Sequence, residues 1–243
     1  IFLIINIILF STGCFNLYGL ALQEQKSNQI SSQPHTNYEL DETIGEYPES
    51  IIFIIADGTG IGQYTVSYYA NGEFAPARFD HVGLVATHPN DGECASSCRR
   101  VTDSAASGTA LSAGHKTYNG AIAVDIDKQP VKTMLEWAEE RGMSTGLVAT
   151  STVTHATPAS FAAHVDYRKK EEEIAAQMSE TNIDVILGGG KIFWPDSLIS
   201  EYVNRGGQYI NEIDAPFADD KPLLGLFATN ALPKVNEQRS PTT

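Results

Sequence analysis

From Ile51 onward the chain alternates short apolar runs with stretches of helical period. IIFII (51–55), GLVATH (83–88), STGLVATST (144–152), DVILGGG (184–190) and LLGLFAT (223–229) have the length and β-branched content of strands. Between them DSAASGTALSAG (103–114) reads as a small-residue helix, TMLEWAEERG (133–142) as an amphipathic helix ending at Gly142, and KKEEEIAAQMSE (169–180) as a surface helix. Strands alternating with helices at this spacing predict an α/β fold, a mostly parallel central sheet flanked by helices. Ligands of such sheets sit beyond the carboxyl ends of the strands. Asp57 follows the first run and the loop 150–157 follows the run 144–152, so two distant loops are expected to converge on one site.

Upstream the pattern changes. IFLIINIILF (1–10) is apolar, is followed by small residues at Ser11, Thr12 and Gly13, and is short for a membrane span with Asn6 inside it. Residues 1–22 therefore read as an export signal, which predicts a periplasmic or cell-envelope location. The run ending in Gly13-Cys14 resembles a bacterial lipoprotein cleavage box, with Ser11 where Leu is usual; the alternative is a plain signal cut nearer Ala21. Residues 23–47 are Ser/Gln/Asn-rich and aperiodic, as a flexible linker would be, leaving 48–243 as the folded domain. In an oxidising compartment Cys94 and Cys98 could close a small disulfide; a zinc knuckle would need two more ligands, and only His88 is near.

Composition adds one exclusion. With 42% apolar and 19% charged residues the chain is ordinary globular protein, but its formal net charge of -14 supplies no cationic field for a nucleic-acid backbone.

The stretch IIFIIADGTGIGQ (51–63) resembles a dinucleotide-binding turn only superficially. Its glycines are Gly58, Gly60 and Gly62, Gln63 stands where the third glycine belongs, and Asp80 precedes its apolar run instead of ending it. A carboxylate at a strand end backed by a glycine turn suits a metal cation better; the plain alternative is that Asp57 caps the next helix. In VTDSAASGTALSAG (101–114), Ser104 is expected at a helix N-terminus, where amides and the macrodipole attract an anion. Here too the plain reading is a cap, by Asp103 or Ser104.

Val101 to Thr109 resembles, position for position, the nucleophile signature of the alkaline phosphatases. Asp57 in its strand-end setting resembles that family's first metal-binding segment, and THATPASFAAHVDYR (154–168) its next active-site stretch. LGGG at Leu187 and LLGLFA at Leu223 are weaker matches in the right order, and the resemblance runs from about Pro48 to Lys234. It implies that Ser104 is the nucleophile, phosphorylated and then hydrolysed. It implies too that Asp57 is shared between a zinc and a third metal, usually magnesium, that Thr157 is a ligand of the third site, that Arg168 grips phosphate, and that Asp103 orients Arg168. At His155 some members carry Asp and others His, so an imidazole there is expected to bias the third site from magnesium toward nitrogen-accepting metals. His81, His88, His115 and His164 lack such neighbours and read as structural.

The resemblance is to an amino-terminal portion. Two Zn2+ and one Mg2+ are expected in the full-length parent, with further Asp and His ligands from later sequence, so the sheet is expected to be incomplete on its C-terminal side and the isolated chain to have little activity. The implied substrate is a small phosphomonoester and the implied assembly a homodimer. The alternatives are a non-catalytic phosphate-binding module or a related phosphodiesterase; an acyl-transfer serine hydrolase is disfavoured because no G-x-S-x-G elbow surrounds Ser104.

Overall fold

The computed structural model describes residues 3–6, 50–72, 75–79, 81, 83, 85–90 and 101–237. Cys14, Cys94, Cys98 and the boundaries drawn at 22/23 and 47/48 lie outside the described residues. The chain divides into two compact units, 1–85 and 86–243.

In the first unit β1 (Leu3–Asn6) pairs in parallel with β2 (Ile51–Ile54), and α1 (Ile61–Asn71) follows a turn in which Gly58 takes φ 68. The strand predicted at 51–55 is present and parallel, but Ile51, Ile52 and Ile54 are each about half exposed instead of buried, since β1 is its one partner among the described residues. The predicted strand at GLVATH is not seen among its described residues, Gly83 and 85–88, which carry no ladder. Its apolar content is strand-like, but content alone does not supply a pairing partner.

The second unit holds a four-stranded, wholly parallel sheet in the order β3 (Gly146–Thr152), β4 (Val185–Gly189), β6 (Leu223–Leu226), β5 (Gln208–Ile210). β4 and β6 are central and bury Ile186, Leu224 and Leu226; β3 lies at one edge, alternates exposed and half-buried positions, and leaves Val148 67% exposed. Helices α2 (Ser104–Ala113), α3 (Met134–Glu139), α4 (Ala156–Ala159), α5 (Glu171–Glu180) and α6 (Asp196–Asn204) accompany it. Helix α5 buries Ile174, Ala175 and Met178 on one face and keeps its three leading glutamates at the positive end of its dipole. Helix α3 is shorter than its periodicity predicts, because a capping box of Thr133 and Glu136 opens it and Gly142, at φ 66, belongs to the turn beyond it.

Candidate active site

Two loops and one helix end make the site in the second unit. Helix α2 begins at Ser104, which is half-buried, and its N-cap is Asp103, whose Oδ1 accepts from the Ala106 amide at 2.9 Å. The helix can lie close to α4 because residue 108 is glycine: a Cβ there would come 2.9 Å from Ser160 Oγ. That contact brings the loop after β3, carrying His155 and Thr157, beside the helix that carries Ser104.

Asp103 does more than cap. Its second oxygen, Oδ2, accepts from Arg168 Nη1 at 3.1 Å, while Arg168 Nη2 lies 3.0 Å from His155 Nε2. A guanidinium only donates, so His155 Nε2 is the acceptor and the ring proton belongs on Nδ1. The Asp103 and Arg168 side chains are 28% and 23% exposed, which shelters the pair from full solvent screening while leaving it reachable. Asp103 and Arg168 thus form a hydrogen-bonded ion pair. Thr157 lies half-buried in the first turn of α4.

Asp57 belongs to the other unit, exposed in the turn after β2. It does not cap α1. The N-cap is Gly60, whose amide donates to Gln63 Oε1 at 2.9 Å, so the residue that breaks the dinucleotide pattern satisfies the amide at the helix start.

Two supports went unseen in the sequence. Glu171 Oε2 accepts from Thr152 Oγ1 at 2.8 Å and from Thr154 Oγ1 at 2.7 Å, tying the loop that holds His155 to the head of α5. Asn119 bonds the backbone on either side of Thr102. Each lies in a stretch with a sufficient local explanation, a charged helix start and a turn, so nothing in the sequence marked them. Of the other histidines, His115 and His81 are exposed, Lys116 Nζ donates to the carbonyls of Ala86 and His88 at 3.0 Å, and His164 is bonded to Ala123 and Glu136.

A serine hydroxyl at the positive end of a helix whose N-cap carboxylate also holds a guanidinium favours a tetrahedral oxyanion over a neutral or cationic ligand. An open groove of about 470 Å³ elsewhere, lined by Glu136, Glu139, Glu140 and Asp184, has the opposite character. Burial pushes the Glu139 carboxyl above its usual range there, and the acidic lining would repel phosphate.

The sequence matches the family model described as Alkaline phosphatase over residues 49–243. It is 44% identical to alkaline phosphatase 3 of Bacillus subtilis over 76% of this chain and 43% of that protein, and 34% identical to the alkaline phosphatase of Escherichia coli K12 over 80% and 50%. The chain thus spans about half or less of the length of these curated relatives. Among solved structures it resembles the alkaline phosphatase of the Antarctic bacterium TAB5, with TM-score 0.68 and 35% identity over 76% of this chain and 54% of that one. A histidine-to-aspartate variant of that enzyme, with Mg bound in the M3 site, matches with the same TM-score at 33% identity. By its family match, its relatives and its fold, the chain belongs to the alkaline phosphatase family.

Proposed function

We propose that this chain supplies the nucleophile-bearing part of a metal-dependent phosphate monoester hydrolase that works through a phosphoserine on Ser104. The observation that carries the reading is the double use of Asp103, which caps the helix headed by Ser104 with one oxygen and holds Arg168 with the other. Ser104 Oγ attacks phosphorus, the Oγ–P bond forms, and the ester P–O bond breaks as the alcohol leaves and takes up a proton. Water then breaks the Oγ–P bond, releasing inorganic phosphate and restoring the hydroxyl. Arg168 grips two phosphate oxygens, for which its planar fork is better suited than an ammonium.

The donors suit divalent ions in kind. Asp57 offers a carboxylate, Ser104 and Thr157 hydroxyls and His155 an imidazole, ligands that magnesium or zinc accept. They do not complete a shell: among the described residues no three His, Cys, Asp or Glu side chains gather. We assign two Zn2+ and one Mg2+ to the full-length parent, in which Asp57 and Thr157 would each offer an oxygen ligand to the magnesium. Such ions lower the pKa of a bound serine hydroxyl and offset phosphoryl charge. A metal-bound His155 would use Nδ1, or give up its Arg168 contact. In the parent, His155→Asp should raise the dependence of activity and bound-metal content on magnesium, in keeping with the magnesium held by the histidine-to-aspartate variant of the TAB5 enzyme. An unchanged magnesium titration would overturn that role.

The decisive assay is turnover of p-nitrophenyl phosphate by the full-length parent. Ser104→Ala should lower kcat by about 10³-fold or more, and a chelator should abolish activity until metal is restored. Near-normal turnover by Ser104→Ala would remove the phosphoserine, and insensitivity to chelation would remove the metals. Assayed alone, the 243-residue chain should show little turnover, and robust zinc-dependent activity would contradict this. We also assign the parent to the periplasm or cell envelope, exported by residues 1–22 with or without lipid on Cys14, and to a homodimer; mass analysis of the mature N-terminus and of the native assembly tests both.

A further inference from the structure

We propose that Asn119 is a positioning residue for the phosphate grip, setting Asp103 and, through it, Arg168; this rests on the phosphatase reading above. The Asn119 amide makes two bonds of opposite sense. Its Oδ1 accepts from the Asp103 amide at 2.9 Å, and its Nδ2 donates to the Val101 carbonyl at 3.0 Å. A primary amide is the neutral side chain that offers an acceptor and a donor side by side, so one residue pins the backbone on both sides of Thr102.

The same turn also holds the other half of the pair. The Gly120 carbonyl accepts from the Arg168 amide at 2.8 Å, and Tyr118 Oη donates to the Asp166 carbonyl at 2.8 Å. One step further, Ile122 and Val165 exchange backbone hydrogen bonds at 2.9 Å in an antiparallel bridge. Both ends of the Asp103–Arg168 ion pair therefore hang by their main chains from the segment 118–122. Gly120 is part of the device: it takes φ 97, a backbone that strains any residue with a Cβ, and a Cβ there would come 3.0 Å from the Tyr167 ring.

The physical role is preorganisation. An arginine side chain has many rotamers, and ordering them at the moment of binding costs affinity. With Asp103 fixed by Asn119, the guanidinium is already aimed before phosphate arrives. Without Asn119, the 101–103 loop keeps the helix cap but loses its tie to the strand-like segment that carries Arg168.

The test is a double-mutant cycle in the full-length parent, read as competitive inhibition of p-nitrophenyl phosphate hydrolysis by inorganic phosphate. Asn119→Ala should weaken phosphate inhibition about tenfold in the native background, yet change it less than about twofold in an Asp103→Asn background, where the cap acceptor remains but the charge facing Arg168 is gone. Asn119→Ser, whose hydroxyl is too short to span both backbone groups, goes through the same cycle in case the alanine variant does not fold. A merely structural role would lower thermal stability with equal losses of phosphate affinity in both backgrounds. Such additivity, or no loss at all, overturns the brace while leaving the phosphatase reading intact. Failure of phosphate to inhibit an active wild-type parent, or absence of turnover in that parent, overturns the phosphatase reading and the brace with it.

Discussion

Asp103 and Glu136 are built into the molecule in nearly the same way. Each serves a helix start with one oxygen, Asp103 accepting from the Ala106 amide and Glu136 from the Thr133 amide at 2.7 Å. Each gives its other oxygen to a side chain from the segment 155–168, Arg168 at 3.1 Å and His164 at 3.0 Å. The pairs differ in what remains. Arg168 reaches onward to His155 and is paired with the residue that caps the helix headed by Ser104, whereas the second ring nitrogen of His164 is bonded to the Ala123 carbonyl at 2.8 Å. Ala123 has φ 41, an unfavourable backbone for a residue with a Cβ, so His164 closes a structural knot around a strained turn. One motif thus gives a pair whose guanidinium has more N–H donors than Asp103 and His155 use, and a brace in which both ring nitrogens of His164 are engaged.

Replacing Arg168 and His164 in the full-length parent is the strongest way to break the comparison. Arg168→Lys keeps the charge but loses the fork, and should lower kcat/KM for p-nitrophenyl phosphate by roughly 10–100-fold with a parallel loss of phosphate inhibition. His164→Gln should leave both within about twofold, as expected for a residue outside the site. Equal losses from the two would show that the pairs do not divide into site and brace.

Stability should invert the order. His164→Gln removes a charge-assisted bond to Glu136 and loosens the hold on Ala123, so the parent should lose about 1–3 kcal/mol in urea unfolding. Arg168→Lys retains an ion-pair partner for a partly exposed carboxylate and should cost less than about 1 kcal/mol. A larger cost for the lysine variant would make Arg168 the structural member.

The sequence was readable where local and global signals agree. Asp103-Ser104 before a run of small residues reads as a helix start because cap chemistry and propensity point the same way, and the runs at 144–152, 184–190 and 223–229 became β3, β4 and β6. Strand β5, Gln208–Ile210, is too short to show a period, and helix α6 offers as its starting signal only Pro195, just before Asp196. GLVATH misled in the other direction, since an apolar run becomes a strand only when a ladder receives it. The tie between Asn119 and Asp103 crosses 16 residues, and asparagine in a turn already has a local explanation, so pattern reading had no reason to look further.

The acid limb of stability gives the smallest and most specific test of the brace. Burial pushes the Glu136 carboxyl up, but the Thr133 amide and His164 together outweigh it, and the group ends below its ordinary value of 4.5. A carboxyl depressed on folding stabilises the folded state above its unfolded pKa, and that contribution fades as pH falls through the folded value. Glu139, raised by burial with Glu136 and Asp184 adding to it, works against this: its protonation on acidification relieves the folded state and offsets part of the loss. Unfolding measured between pH 7 and about pH 3 should therefore show the parent converging on Glu136→Gln below about pH 4.5, with the gap widest near neutrality. A gap that stays constant across that range would mean Glu136 titrates alike in the folded and unfolded chain, and its bonds to Thr133 and His164 would then confer no preference for the carboxylate.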